Sequence, residues 1–153
     1  VSEEKQMPDR GLDDESRCPK PAYKLYPVRA VVLSTPIGGL LAGGVLMAVN
    51  YRQVGRRTAA AAAVAFGVVA VGLFLGFTLS TSPDNPLPGL THLFVQPVVM
   101  YLIIRLFQGR MLSTHRAAAG DLESEWKAAG IGLVLGILIV LVGMVLETQV
   151  RGG

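Results

Sequence analysis

The stretch AAGIGLVLGILIVLVGMVL, residues 128–146, contains no polar side chain and lies between Lys127 and Glu147. As a helix these residues would rise about 28 Å at 1.5 Å per residue. That matches a hydrocarbon core of about 30 Å. A helix on the surface of a soluble domain keeps a polar face, and this one has none. Three further runs of similar length lie upstream, at about residues 30–49, 58–79 and 90–107. The run at 58–79 has no polar side chain between Thr58 and Thr78, while that at 90–107 carries Thr91, His92, Gln96, Pro97 and Arg105. Only 16% of the chain is charged, against about 25% in soluble domains. The four runs predict an all-α integral membrane protein, a four-transmembrane-helix bundle spanning residues 28–149.

Residues 1–27 have a different composition. Glu3, Glu4, Asp9, Asp13, Asp14 and Glu15 alternate with Lys5, Arg10, Arg17, Lys20 and Lys24, and four prolines interrupt them. Such a segment cannot bury enough apolar surface to offset its ordering entropy, so a disordered polar tail is expected. Tyr23, Leu25 and Tyr26 would approach the membrane interface. No apolar run precedes residue 28, so no cleavable signal peptide is expected. The single cysteine, Cys18, excludes an internal disulfide.

Four crossings would put both termini on one side and the two basic connections on the other. The connections hold Arg52, Arg56, Arg57, Arg105, Arg110, Arg116 and Lys127, and the terminal side holds Arg17, Lys20, Lys24, Arg29 and Arg151. The positive-inside rule counts bases, so the connections are expected in the cytoplasm and the termini outside.

Three runs carry G-x-x-x-G pairs: Gly39/Gly43, Gly72/Gly76 and Gly132/Gly136. Between helices in lipid, small residues permit close backbone approach. All six glycines are therefore expected at helix–helix contacts, within one chain or between chains. Polar residues fall into two groups by depth. Ser34, Thr35, Thr78, His92, Gln96 and Glu147 would share one face of the bilayer. Arg52, Tyr101, Arg105, Gln108, Trp126 and Lys127 would meet lipid headgroups at the other.

No catalytic, cofactor or metal site is expected. The two histidines, His92 and His115, lie 23 residues apart, about 34 Å along a continuous helix. No Walker, G-x-S-x-G or paired-cysteine pattern occurs. The net charge of +3 is spread over the loops and points to topology, not to nucleic acid. The expected partners are the lipid bilayer and a second membrane-protein chain, of the same or another kind. The leading functional expectation is a non-enzymatic scaffold or accessory subunit. The alternative is a protein that binds or transports a lipid or small solute through its shallow polar clusters.

Ser34-Thr35-Pro36-Ile37-Gly38-Gly39, Gly43-Gly44 and Asn50-Tyr51-Arg52, with the later Gln108-Gly109, His115 and Trp126-Lys127-Ala128-Ala129-Gly130-Ile131-Gly132, resemble a family of small uncharacterised bacterial multi-pass membrane proteins. That resemblance implies four spans in a bacterial inner membrane and brings no catalytic residues.

Overall fold

The computed structural model describes residues 21–81 and 85–151. Most of the expected tail, residues 1–20, lies outside the described residues. The chain is helical: α1 (Val28–Gln53), α2 (Arg57–Ser80), α3 (Leu87–Leu90), a π-helical turn (Thr91–Val95), α4 (Gln96–Ala117) and α5 (Glu125–Arg151). α3, the π turn and α4 run on as one rod, Leu87–Ala117. Four segments are thus long and apolar enough to cross a membrane.

The first of them does not run straight. Gly38 leaves the helical region, and Gly39 takes φ +63° and ψ −168°, a combination open in practice only to glycine. The backbone reverses there. The proof is at the ends: the Tyr26 backbone N–H donates to Asn50 Oδ1 at 2.7 Å, and Asn50 Nδ2 donates to the Tyr26 carbonyl at 3.1 Å. A straight helix would separate those residues by about 36 Å. α1 is therefore a helical hairpin with arms 28–37 and 40–53, about 15 and 21 Å long at the helical rise per residue. Small or slender buried residues occupy both arms, among them Ala30, Ser34, Ala42 and Gly43.

The hairpin is the centre of the molecule, and every other long helix packs against it. α5 lies along the first arm, where a side chain on Gly136 would collide with the Ile37 carbonyl and one on Gly132 would crowd Ser34. α2 crosses the second arm, with Gly44 against Ala63 and Gly67, and Gly67 against Leu41. α4 runs beside the second arm, bringing Met100 to Gly43 and Gln108 to Asn50. The outer faces of α2, α4 and α5 expose leucine, valine, isoleucine and phenylalanine throughout.

Two expectations change. Both ends of α1 lie at one end of the bundle, so residues 21–27 and the last turn of α5 lie at opposite ends, not together. The connection 118–124 lies at the same end as residues 21–27, because Leu25 N–H donates to the Asp121 carbonyl at 3.4 Å and Glu123 N–H to the Leu25 carbonyl at 2.9 Å. Residues 21–27, assigned by composition to the tail, are also packed: Leu25 is 0% and Tyr26 8% exposed. Charge density hid two apolar side chains that the hairpin and the 118–124 connection cover.

The turn at Gly39 has room for a methyl group, since its nearest neighbour would be Gln96 Oε1 at 3.6 Å. Gly39→Ala therefore tests backbone strain alone. It should destabilise the protein by about 1–3 kcal/mol in detergent unfolding, while Gly72→Ala, which meets nothing within 4 Å, should be neutral or slightly stabilising.

Candidate functional site at the hairpin tip

Breaking a helix frees backbone groups, and in hydrocarbon each needs a partner. The carbonyl of Pro36 is freed by the reversal at Gly38–Gly39, and His92 Nε2 lies 3.0 Å from it. A carbonyl only accepts, so Nε2 carries the hydrogen and Nδ1 of the neutral ring is an acceptor. His92 lies in the π turn. Pro97 offers no N–H to the Leu93 carbonyl, and the wider turn just before it shifts the register of the preceding residues. Such turns recur at functional sites. Phe74 from α2 covers the imidazole, with ring centroids 5.5 Å apart.

Gln96, one helical turn on, is 5% exposed and points to Gly39. A cavity of about 30 Å³ remains here, lined by Gly39, Leu40, Phe74, His92, Gln96 and Ile139, among others. The hairpin turn, α2, the rod Leu87–Ala117 and α5 thus converge on it. His92 Nδ1 and Gln96 Oε1 are buried without a hydrogen-bond partner. Two acceptors face a space that suits one water-sized molecule, which needs at least about 10–15 Å³. The chemistry on offer is acceptance of hydrogen bonds. Among the described residues no group of acids, histidines or cysteines could hold a metal ion.

The rest of the expected polar cluster does not join this site. Ser34 and Thr35 are buried but both donate to the Val31 carbonyl, at 2.8 and 3.0 Å. Thr78 donates to the Phe74 carbonyl in its own helix at 2.9 Å, and Glu147 is exposed on α5. Of the glycines, Gly43, Gly132 and Gly136 lie against another element. Gly39 is the turn itself, where backbone conformation and not helix approach requires glycine. Gly72 and Gly76 make no contact within this chain: neither has an atom within 4 Å of an added Cβ, because α2 meets the hairpin on the face of Ala60, Ala63 and Gly67.

The expected headgroup set also divides. Arg52 and Trp126 are exposed. Arg105 stacks over the Tyr101 ring at 5.5 Å on the outer face of α4. Lys127 is engaged by Glu123. Gln108 is the exception, because it is fully buried. Its Oε1 accepts from Asn50 Nδ2 at 3.1 Å, and its Nε2 donates to the Met47 carbonyl at 2.9 Å. It clasps α4 to the hairpin and cannot reach lipid. Asn50, which the sequence marks only as the polar close of an apolar run, holds both hairpin ends. Beyond it, the His115 ring stacks on Tyr23 at 5.1 Å and its Nε2 donates to the Asp121 carbonyl at 2.9 Å. Gly120 leaves space for that ring. The hydrogen bond from Lys127 holds the Glu123 carboxyl below its ordinary range, and burial raises the Tyr26 phenol. A depressed carboxylate contributes stability above its unfolded value and loses it as pH falls through the folded one. This contact should therefore weaken only in acid, below the usual carboxylate range.

Comparison with known protein families, curated proteins and solved structures finds no match to this chain.

Asn50 and Gln108 should show unequal and coupled effects. Asn50→Leu orphans the Tyr26 N–H and carbonyl and should cost about 1–3 kcal/mol. Gln108→Leu removes one interhelical pair, worth about 0.6–1.7 kcal/mol in membrane proteins. A double-mutant cycle by denaturant titration in mild detergent should give a loss for both together smaller than the sum.

Proposed function

We propose that the chain is a non-enzymatic multi-pass membrane protein that binds a small polar solute at the tip of its hairpin. The observation that carries this reading is the pair of buried, unpartnered acceptors, His92 Nδ1 and Gln96 Oε1, beside a broken helix. Ionisable side chains within membrane segments are rare and mark functional pathways, and broken helices build many transporter sites. The solute class follows from the site: a molecule of one or two heavy atoms that donates hydrogen bonds, such as water or ammonia.

On this reading α2, the rod Leu87–Ala117 and α5 cross the bilayer. The hairpin enters and leaves from one side. The end of the bundle that bears both ends of the hairpin also bears Lys24, Arg29, Arg52, Arg56, Arg57, Arg110, Arg116 and Lys127, whereas the far end bears Glu147 and Arg151. The positive-inside rule then places the basic end in the cytoplasm, and with it the chain preceding α1. The family resemblance supports a bacterial inner membrane.

A second reading keeps the protein as a scaffold or accessory subunit. It is favoured by Gly72 and Gly76, whose face of α2 is open within this chain and could receive a helix of a second copy or another membrane protein.

Labelling tests the topology, and flux separates the two readings. With Cys18→Ser as background, Gln53→Cys and Ser124→Cys should resist an impermeant thiol reagent in intact cells and Asn85→Cys should react. A green fluorescent tag ahead of residue 1 should fluoresce. Reaction at Gln53 with protection at Asn85 would reverse the orientation, and a dark, externally placed N-terminal tag would restore four crossings. In liposomes, stopped-flow water or ammonia permeability should exceed that of empty vesicles and drop at least fivefold in excess flux with His92→Phe or Gln96→Leu. Flux equal to empty vesicles, with a stable partner retained in mild detergent, would favour the scaffold.

A further inference from the structure

The basic end of the bundle carries a second feature, independent of the hairpin tip. α2 and α4 both pack on the second arm of the hairpin but diverge from each other there. A groove of about 520 Å³ lies between them, lined by Tyr51, Ala59, Ala63, Phe66, Ile103 and Phe107, with Met47 at its floor. Roughly 300–1,000 Å³ is the range of small-molecule sites. The Tyr51 hydroxyl donates to the Phe107 carbonyl at 3.3 Å, so the wall's polar tip is already engaged. The alanine run of α2 keeps the groove open, because each residue there stops at Cβ.

The groove begins at the level of Tyr51 and Ala59 and continues to Phe66, about 10 Å deeper along α2 at the helical rise. At its mouth the chain turns from α1 to α2, and Arg56 N–H donates to the Tyr51 carbonyl at 2.8 Å. Arg52, Arg56 and Arg57 are all exposed in that turn. No acidic side chain among the described residues forms an ion pair with them. Among the described residues the acids of this end are Asp121 and Glu123 in the connection into α5 and Glu125 at the start of α5, which packs along the first arm.

We propose that this groove binds one anionic phospholipid, its acyl chain between α2 and α4 and its phosphate at Arg52, Arg56 and Arg57. Charge complementarity selects the occupant. A lipid supplies an apolar chain and an anion in the same order, from depth to surface, as the groove and its arginines. Juxtamembrane basic clusters attract anionic lipid, and guanidinium groups pair with phosphate through two parallel hydrogen bonds. With α2 and the rod Leu87–Ala117 crossing the bilayer as proposed above, the groove faces hydrocarbon, where lipid is the most abundant candidate.

Native mass spectrometry of the full chain in mild detergent, with dioleoyl phosphatidylglycerol and dioleoyl phosphatidylcholine added separately, tests the proposal. Phosphatidylglycerol should be retained at least tenfold better. The combined variant Arg52→Gln, Arg56→Gln, Arg57→Gln should lose that preference while melting at the same temperature as the parent. Ala62→Trp, which fills the groove from an exposed alanine, should lower retention of both lipids. Arg110→Gln with Arg116→Gln should change neither. Equal retention of the two lipids, an unchanged preference in the triple variant, or a lipid-free dimer lost on Ala62→Trp would overturn the proposal; the last would assign the groove to a second copy.

Discussion

The backbone reversal at Gly38–Gly39 is the constraint on which the rest of this structure depends. A positive φ with ψ near 180° excludes every residue with a Cβ except at a cost in strain, and it converts one long apolar segment into two short arms. Neither arm alone is long enough to cross about 30 Å of hydrocarbon. The pair must therefore be enclosed, and the three long helices that enclose it are the rest of the fold.

Enclosure creates a polar problem at each end of the hairpin. At the tip the freed Pro36 carbonyl meets His92, and at the base Asn50 bonds both backbone groups of Tyr26. Both solutions come from side chains distant in sequence. At the base, Asn50, Tyr26 and Gln108 satisfy one another and run on into α4, which makes them a structural clasp, while His115 Nδ1 beyond them is buried without a partner. The tip is satisfied only at Nε2, and it retains two acceptors without partners. What sets the tip apart is that His92 and Gln96 line one small cavity together. A half-satisfied polar group in low dielectric is costly, and its persistence at a broken helix is what supports a functional reading.

The outer surfaces follow a different logic. Lipid tails are as apolar as leucine, so helices in a bilayer gain little by hiding apolar side chains from one another. α2, α4 and α5 each touch the hairpin through small residues or a few polar anchors and leave their broad apolar faces outward. This explains why glycine spacing alone misleads. Gly132 and Gly136 meet the first arm closely, while Gly72 and Gly76 have the same spacing and meet nothing in this chain.

The amino-acid sequence by itself determined that the chain is helical and has four segments apolar enough for a bilayer, because hydrocarbon demands unbroken apolar length and internal hydrogen bonding whatever the neighbours are. It also marked His92, Gln96 and the Gly38-Gly39 pair, through polar or flexible residues in apolar surroundings. The path of α1 was decided only in three dimensions: a proline and paired glycines permit a kink, a packed kink or a full reversal, and only Asn50 reaching Tyr26 distinguishes them. That single reversal put residues 21–27 at the opposite end of the bundle from the end of α5. It drew Leu25 and Tyr26 out of a segment whose charges pointed to a tail, and it split the polar residues into clasp, site and local caps. Depth along a helix is local information carried by the sequence, whereas the neighbour a side chain meets at that depth depends on how the helices pack.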